Sequence, residues 1–449
     1  LLYSELLFNN NEWFDALFQF QKALWLDSNN IDAQFGVGLC LYHLQEFNDA
    51  ISAFRKVLKI DPYNHSAYYF LGRSLMAEDN FREAIPNLTQ SLLLDPDNSD
   101  TYFNLGKSYF ETGKIIQARE AFNRTIRIEP QHGSAYYHLG LINENIMEIE
   151  KAVHAYTLAR EYSPEIEDVH YRLGMLLFRI GELKQAMEPL RQFIIYQPDS
   201  LQVLEAMGEI FISENRFSEA INTYKRLRII YPEKLDINLA LAESYYQLKN
   251  LDGAINIYKN ILLFDDENFD VMIKMGSIYD ELGDYTNAEN IFHDAINCTI
   301  PTMKMYYQLA LTYGNQSNYM SAILAFQEAL KLEPDDVEIK YQLGVAYMEI
   351  GDFFIAAQYF EDYVNKNLQD EIAFFLLGKC YIEINDYLAA LLVLQQANIL
   401  SPNNHRILYY IGQSQSGLGE ESDAALTFRK ALKINPEDPE IYFELGKSY

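Results

Sequence analysis

The sequence predicts an all-α solenoid of antiparallel helical hairpins, and three observations carry that prediction. First, alanine recurs every 34 residues from Ala16 through Ala50, Ala84 and onward to Ala424, thirteen times with no insertion or deletion. Second, a small residue stands twelve positions before these alanines from Gly38 onward and again at Gly446: Gly in eleven of thirteen units, with Ala242 and Ala310 as the exceptions. Third, proline closes nine units, from Pro62 to Pro436. A fixed period of this length marks a repeat array, in which one supersecondary unit is copied along the chain.

Numbering each unit from the residue equivalent to His65, apolar residues at positions 4, 7, 8 and 11 fall on one stripe of a first helix, as Leu71, Gly72 and Leu75 illustrate. Gly, Asn or Asp near position 15 breaks the chain. A second stripe at 17, 20, 24 and 27, as in Phe81, Ala84, Leu88 and Ser91, predicts a second helix. Proline at 32 ends it, because it has no N–H and disfavours a helical predecessor. Small residues at 8 and 20 let the two helices approach closely. One such hairpin cannot bury its apolar face alone, so stability has to come from stacking on neighbours.

The spacing predicts a single solenoid over 1–449: a partial repeat at 1–30, twelve complete repeats over 31–438, and the first helix of a further repeat at 439–449. Neither end carries the polar cap that a solenoid end needs in water. The expectation is therefore a piece of a longer array.

The succession L-G-x-x-[YLF], A-x-x-x-[FYL], P resembles the tetratricopeptide repeat family over the whole chain. That resemblance implies a right-handed superhelix whose first helices line a concave wall, where extended peptides or partner helices lie. It implies a non-enzymatic protein-protein interaction scaffold that organises a multiprotein assembly. The alternative is the recognition arm of a larger enzyme, such as a repeat-fused transferase, with its catalytic domain outside this sequence.

Composition narrows the partners. Lys and Arg number 35 against 64 Asp and Glu, a formal charge of −29, which disfavours nucleic acid because phosphate binding needs a cationic stripe. Cys40, Cys298 and Cys380 form no disulfide framework and no zinc spacing. Eight histidines make no His-x-x-x-His pair. Gly-Lys-Ser at 106–108 and 446–448 lacks the earlier glycine of a phosphate loop, since Thr101 and Ile441 stand there. No catalytic residue, cofactor or metal is expected. The most apolar run, Tyr387 to Leu400, spans only 14 residues and includes Gln395, Gln396 and Asn398, short of a bilayer span. No direct membrane insertion is expected. The cysteine usage fits the cytoplasm. Because the sequence starts at Leu1 rather than Met, the periplasm or secretion stays open.

Positions 2, 6, 9 and 13 lie opposite the predicted buried stripe, flanked by 5 and 12. Position 5 is aromatic in two blocks: Phe35, Tyr69, Phe103, Tyr137 and Tyr171, then Tyr307, Tyr341, Phe375, Tyr409 and Phe443. These are either half-buried packing residues or rigid anchors for a partner. At positions 6, 9 and 13 of the first block, Arg73, Asn104, Lys107, His138, Arg172 and Arg179 form a polar and cationic strip, either solvated or suited to an acidic segment. Some relatives hold a chaperone's acidic tail with Lys and Asn at positions 5 and 9. Tyr69 and Arg73 occupy those places here, a departure from that clamp. The asparagine run at position 6 of glycosyltransferase relatives is reduced to Asn104. Lastly, position 27 becomes Phe193, Leu227 and Ile261 in three successive units, while Asp266 and Ile300 replace proline at 32. This predicts a seam over 167–302 where pitch changes or an outer surface supports self-association.

Overall fold

The computed structural model describes residues 2–298 and 300–449. Among the described residues there are 27 α-helices and no strand. The chain divides into two compact units, one ending at Asn215 and one beginning at Arg216. The division falls inside the 167–302 segment, and Phe193, Leu227 and Ile261 are all buried.

After α1 (Leu2–Asn9) and α2 (Trp13–Leu26), every first helix but the last covers positions 1–13 of its unit: α3 (Ile31–His43), α5 (His65–Ala77), α7 (Ser99–Glu111), α9 (Gly133–Asn145) and α11 (Glu167–Arg179) in the first unit. Second helices cover positions 17–30, as in α4 (Phe47–Ile60), α6 (Phe81–Leu94), α8 (Ile115–Ile128), α10 (Ile149–Tyr162) and α12 (Leu183–Tyr196). The first unit closes with α13 (Leu201–Ser213), and the second begins with α14 (Phe217–Ile230) and α15 (Leu235–Gln247). There α16 (Leu251–Leu262) is shorter, and it is followed by α17 (Phe269–Glu281), α18 (Tyr285–Cys298), α19 (Met303–Asn315) and α20 (Tyr319–Leu332). The pattern then continues through α21 (Val337–Glu349), α22 (Phe353–Lys366), α23 (Glu371–Glu383), α24 (Tyr387–Leu400), α25 (His405–Gly417) and α26 (Glu421–Ile434) to α27 (Pro439–Lys447).

Each break between the two helices of a unit is a left-handed residue at position 15, in all thirteen units. Five are glycine, such as Gly113 at φ 75°. Gln45, Met147, Lys249 and Ser317 hold the same conformation without being Gly, Asn or Asp. The hydrogen bonds explain why. Glu46 N–H reaches the Leu41 carbonyl at 2.9 Å and Gln45 N–H reaches that of Tyr42 at 3.1 Å, a Schellman closure that satisfies otherwise orphaned carbonyls. First helices begin at a cap the sequence reading did not single out: Asn30, Asn64 and Asn98 at position 34 each accept the backbone N–H three residues on at 2.9 Å. Second helices end where the residue before proline turns extended, as Asp61 does at φ −124°, ψ 93°.

The buried stripe of the first helix is broader than the expected 4, 7, 8 and 11. Position 3 is the most uniformly buried, from Ala33 to Ile441, with no residue more than 2% exposed, and position 10 is nearly as buried. Position 4 is less uniform, buried in six repeats, half-buried in six and exposed at Tyr442. Serines at position 10 enter the core because the preceding turn takes their hydroxyl: Ser74 donates to the Phe70 carbonyl at 2.8 Å and Ser108 to that of Asn104 at 2.9 Å. The glycine at position 8 faces position 24 rather than the alanine at 20. A Cβ on Gly106 would sit 2.7 Å from the Phe122 ring, and one on Gly140 2.4 Å from Tyr156. Ala at 20 is fully buried in every unit. Between units, position 25 of a second helix meets position 11 of the next first helix: Gln327 donates to Tyr347 at 3.0 Å, and the Lys259 ammonium lies 5.7 Å from the Tyr279 ring centre.

Candidate functional site

In the first unit, α5 and α7 hold Arg73, Asn104 and Lys107 on a shared open groove of about 280 Å³, lined also by Tyr42, Met76 and Glu111. Helical spacing puts position 9 of one first helix beside position 6 of the next, so the three side chains converge. The Arg73 guanidinium lies 5.1 Å from the Tyr42 ring centre and 5.5 Å from that of Tyr69, and it donates to the Tyr69 hydroxyl at 3.3 Å. Lys107 stands 6.0 Å from the Phe103 ring centre. Among the described residues neither cation forms an ion pair. Asn104 donates its amide to the Asp100 carbonyl at 2.7 Å. Aromatic faces orient the two cations without neutralising them.

The rest of the expected strip differs. Arg172 donates Nε to Asp168 at 2.6 Å and comes within 3.6 Å of Glu144, and Arg179 donates to Glu144 at 2.5 Å. Burial opposes the Arg172 charge, but the Asp168 carboxylate outweighs it and holds the guanidinium firmly protonated. His138 is no cation at neutral pH. Burial lowers its pKa below the usual imidazole range, Lys107 lowers it further, and only the Ser134 carbonyl at 2.8 Å pulls the other way. The cationic strip therefore contracts to Arg73 and Lys107, because acids at positions 2 and 12 occupy the other arginines. Glu144, at position 12, is the residue the sequence reading missed. It also accepts from the Tyr156 hydroxyl at 2.8 Å, and both contributions push the Tyr156 pKa up, burial first. Its signal was an acid at a position filled by Tyr42, Met76 and Phe110 in the preceding units.

Apart from Phe443, which is exposed, the position-5 aromatics are half-buried, and most pack across their own hairpins. Phe35 lies 5.7 Å from Phe54, Phe103 5.8 Å from Phe122, Tyr137 6.2 Å from Tyr156, and Tyr171 5.1 Å from Phe193, centre to centre. Tyr307 meets Phe326 and Tyr341 meets Phe360 at 5.7 Å, Tyr409 meets Phe428 at 6.1 Å, and Phe375 meets Tyr410 of the next unit at 5.3 Å. Tyr137 donates its hydroxyl to Asp168, and burial together with this bond pushes its pKa up to about 12. Tyr171 donates to Gln202. Burial also raises Tyr69, Tyr307 and Tyr341, and takes Tyr409 up to about 12 with help from Glu440 and Glu444. These rings are packing residues with one exposed edge.

Cys40 and Cys380 are buried free thiols pushed up to about 12 by desolvation, and Cys298 is exposed. Among the described residues no three His, Cys, Asp or Glu side chains gather to hold a metal, and no helix is long and apolar enough to cross a membrane.

Tetratricopeptide repeat profiles match residues 75–140, 168–200, 211–271, 269–297, 307–371 and 341–405, more than half of the chain together. A profile described as anaphase-promoting complex, cyclosome, subunit 3, matches residues 9–91. No curated protein sequence matches. Among solved structures, the APC/C hetero-tetramer Cut9-Hcn1 is 15% identical, covering 100% of this chain and 95% of that one at a TM-score of 0.37. A crystal structure of MamA is 28% identical over 36% of this chain and 95% of its own, at 0.35. YrrB, described as a TPR protein with an unusual peptide-binding site, is 19% identical over 41% of this chain and 95% of its own, at 0.37. With its unbroken 34-residue hairpins and the repeat profiles that match more than half of it, the chain belongs to the tetratricopeptide repeat family.

Proposed function

We propose that this chain is a protein-interaction scaffold that holds an acidic peptide segment along the first-helix face of α3, α5 and α7. The observation that carries this is the pair Arg73 and Lys107, two cations without carboxylate partners on one open groove of a protein with 29 excess negative charges. An isolated positive site in a negative field steers an acidic segment and rejects basic ones. Asn104 adds a neutral amide between the cations, suited to a peptide carbonyl or carboxylate. Tyr42 and Tyr69 supply aromatic edges beside them, the residue type that anchors binding hot spots.

The test is fluorescence anisotropy of a labelled glutamate-rich peptide against a lysine-rich peptide of equal length. The expected result is selective binding of the acidic peptide that weakens with salt and is lost in Arg73→Glu/Lys107→Glu with helix content unchanged. Equal binding of both peptides, or an unaffected double variant, overturns the proposal.

A further inference from the structure

The most apolar run of the sequence, Tyr387 to Leu400, is α24, and its outward face has no role in the first-helix groove. Its exposed residues are Leu388, Leu392, Gln395 and Ile399. Their spacing of four, three and four is the a/d seam of a two-stranded coil, with Leu388 and Gln395 in one kind of layer and Leu392 and Ile399 in the other. Leu388, Leu392 and Ile399 are between 60% and 69% exposed, and α24 carries no charged residue. Phe354 on α22 and Leu426 on α26, the second helices of the hairpins before and after, are exposed as well.

We propose that this face is a two-fold interface with a second copy of the chain, in which α24 packs parallel to its counterpart. The charges around the seam select that occupant. On α22 the exposed residues at positions 25 and 26 are Glu361 and Asp362; on α26 the same positions carry Arg429 and Lys430, with Lys433 one turn on. A two-fold axis along α24 brings α22 of each copy over α26 of the other. Acid then meets base twice, at the same height along the helices. An antiparallel arrangement would set α22 against α22, with like charges facing. Lys430 and Lys433 form no ion pair among the described residues, whereas Asp362 already holds Lys340 at 2.6 Å and Glu361 accepts from Tyr381. The unpaired lysines are thus the groups that gain a partner.

The area is adequate. Five apolar side chains presenting roughly 100 Å² each give about 500 Å² per copy, the apolar share of a standard interface of about 800 Å² per partner. Phe354 of one copy would cover Leu426 of the other. Gln395, the one polar residue in the seam, would face itself across the axis and fix the register, as a polar residue in a coiled-coil core does.

The experiment is light scattering of the full chain carrying Cys298→Ser, at about 50 μM, well above the micromolar Kd of a weak interface of this size. A dimer is expected, and Leu392→Glu should weaken it about 100-fold or more, because a two-fold axis buries each substitution twice. Circular dichroism of that variant should be unchanged, since the residue is exposed. Gln395→Cys should form a disulfide-linked dimer under mild oxidation, because the parallel register opposes residue 395 to itself, whereas an antiparallel seam centred on α24 opposes it to residue 392. A second seam, Phe14, Phe18, Gln21 and Trp25 on α2, has the same spacing, so Phe18→Glu is the control and should leave the mass unchanged. A monomer, a dimer indifferent to Leu392→Glu, one dissociated by Phe18→Glu, or one without the Gln395→Cys cross-link each overturns the proposal.

Discussion

Arg179 donates to Glu144 at 2.5 Å across 35 residues of sequence, from position 13 of one first helix to position 12 of the helix before it. This bond, with the approach of Arg172 to the same carboxylate, makes Glu144 the group that decides how far the positive surface extends. Its side chain is only 19% exposed and also accepts from the Tyr156 hydroxyl, so two hydrogen-bond donors and the nearby Arg172 guanidinium hold its charge in place.

Glu144→Gln is therefore expected to extend the cationic groove rather than abolish it. Glutamine still accepts from Tyr156 but leaves Arg179 without a carboxylate, while Arg172 keeps its bond to Asp168. Affinity for the glutamate-rich peptide should rise several-fold at low salt and return to the wild-type value at high salt, as rim charges act mainly through long-range attraction. Stability should fall by about 1 kcal/mol with the lost charge-assisted bonds. Anisotropy at two salt concentrations measures the first effect and urea denaturation the second. Unchanged affinity at low salt would show that Glu144 does not limit the site.

Met147 takes the left-handed conformation at φ 62° where five other units use glycine. A side chain there costs about 1 kcal/mol relative to glycine. Met147 is also well exposed, so little packing is lost on its removal. Met147→Gly should raise the urea midpoint, and Gly113→Ala, at the equivalent position, should lower it. Movement of both in the same direction would contradict the backbone account.

What the sequence showed and what it hid separate on physical grounds. Period, helix limits and the alanine at position 20 were legible because every unit repeats the same steric constraint, so thirteen copies reinforce one signal. The left-handed turn at Gln45, Met147, Lys249 and Ser317 was not, since the closing hydrogen bonds impose it on residues with no preference for it. The partner of Gly106 was misplaced because period gives the face of a helix and leaves open which side chain crosses it; Phe122 fills that space. The candidate site was half legible. Charge at positions 6, 9 and 13 located Arg73 and Lys107, but ion pairs between adjacent units depend on side-chain reach across the stack, and these removed Arg172 and Arg179 from the free set.

His138 gives the protein a defined acid response. Its folded pKa lies below the usual imidazole value through burial among Phe103, Phe122 and Phe110, with Lys107 adding to the shift. The unfolded chain then binds a proton more readily than the folded one. Its contribution to stability is full above the unfolded pKa of about 6.5 and is lost as pH falls towards the folded value. His138→Phe, which keeps a ring in the same aromatic cluster, removes that dependence. The stability of the variant relative to wild type should be greater at pH 5 than at pH 7 in urea titrations. A pH-independent difference would mean that His138 is as solvated folded as unfolded.

Ala254 tests the nearest-neighbour character of the array. It is fully buried at position 20 of a second-unit hairpin, on the face of α16 that also carries buried Tyr258 and Ile261. A phenylalanine there has no room, and overpacking costs about 1–3 kcal/mol. In a globular core that strain would lower protection everywhere, whereas in a stacked array each repeat touches only its neighbours. Ala254→Phe should therefore accelerate amide exchange across residues 235–302 and leave 31–179 as slow as in wild type. The peptide site on α5 and α7 should keep its affinity. Unchanged exchange across 235–302 would refute the packing role of Ala254, and uniform acceleration along the whole chain would refute local coupling.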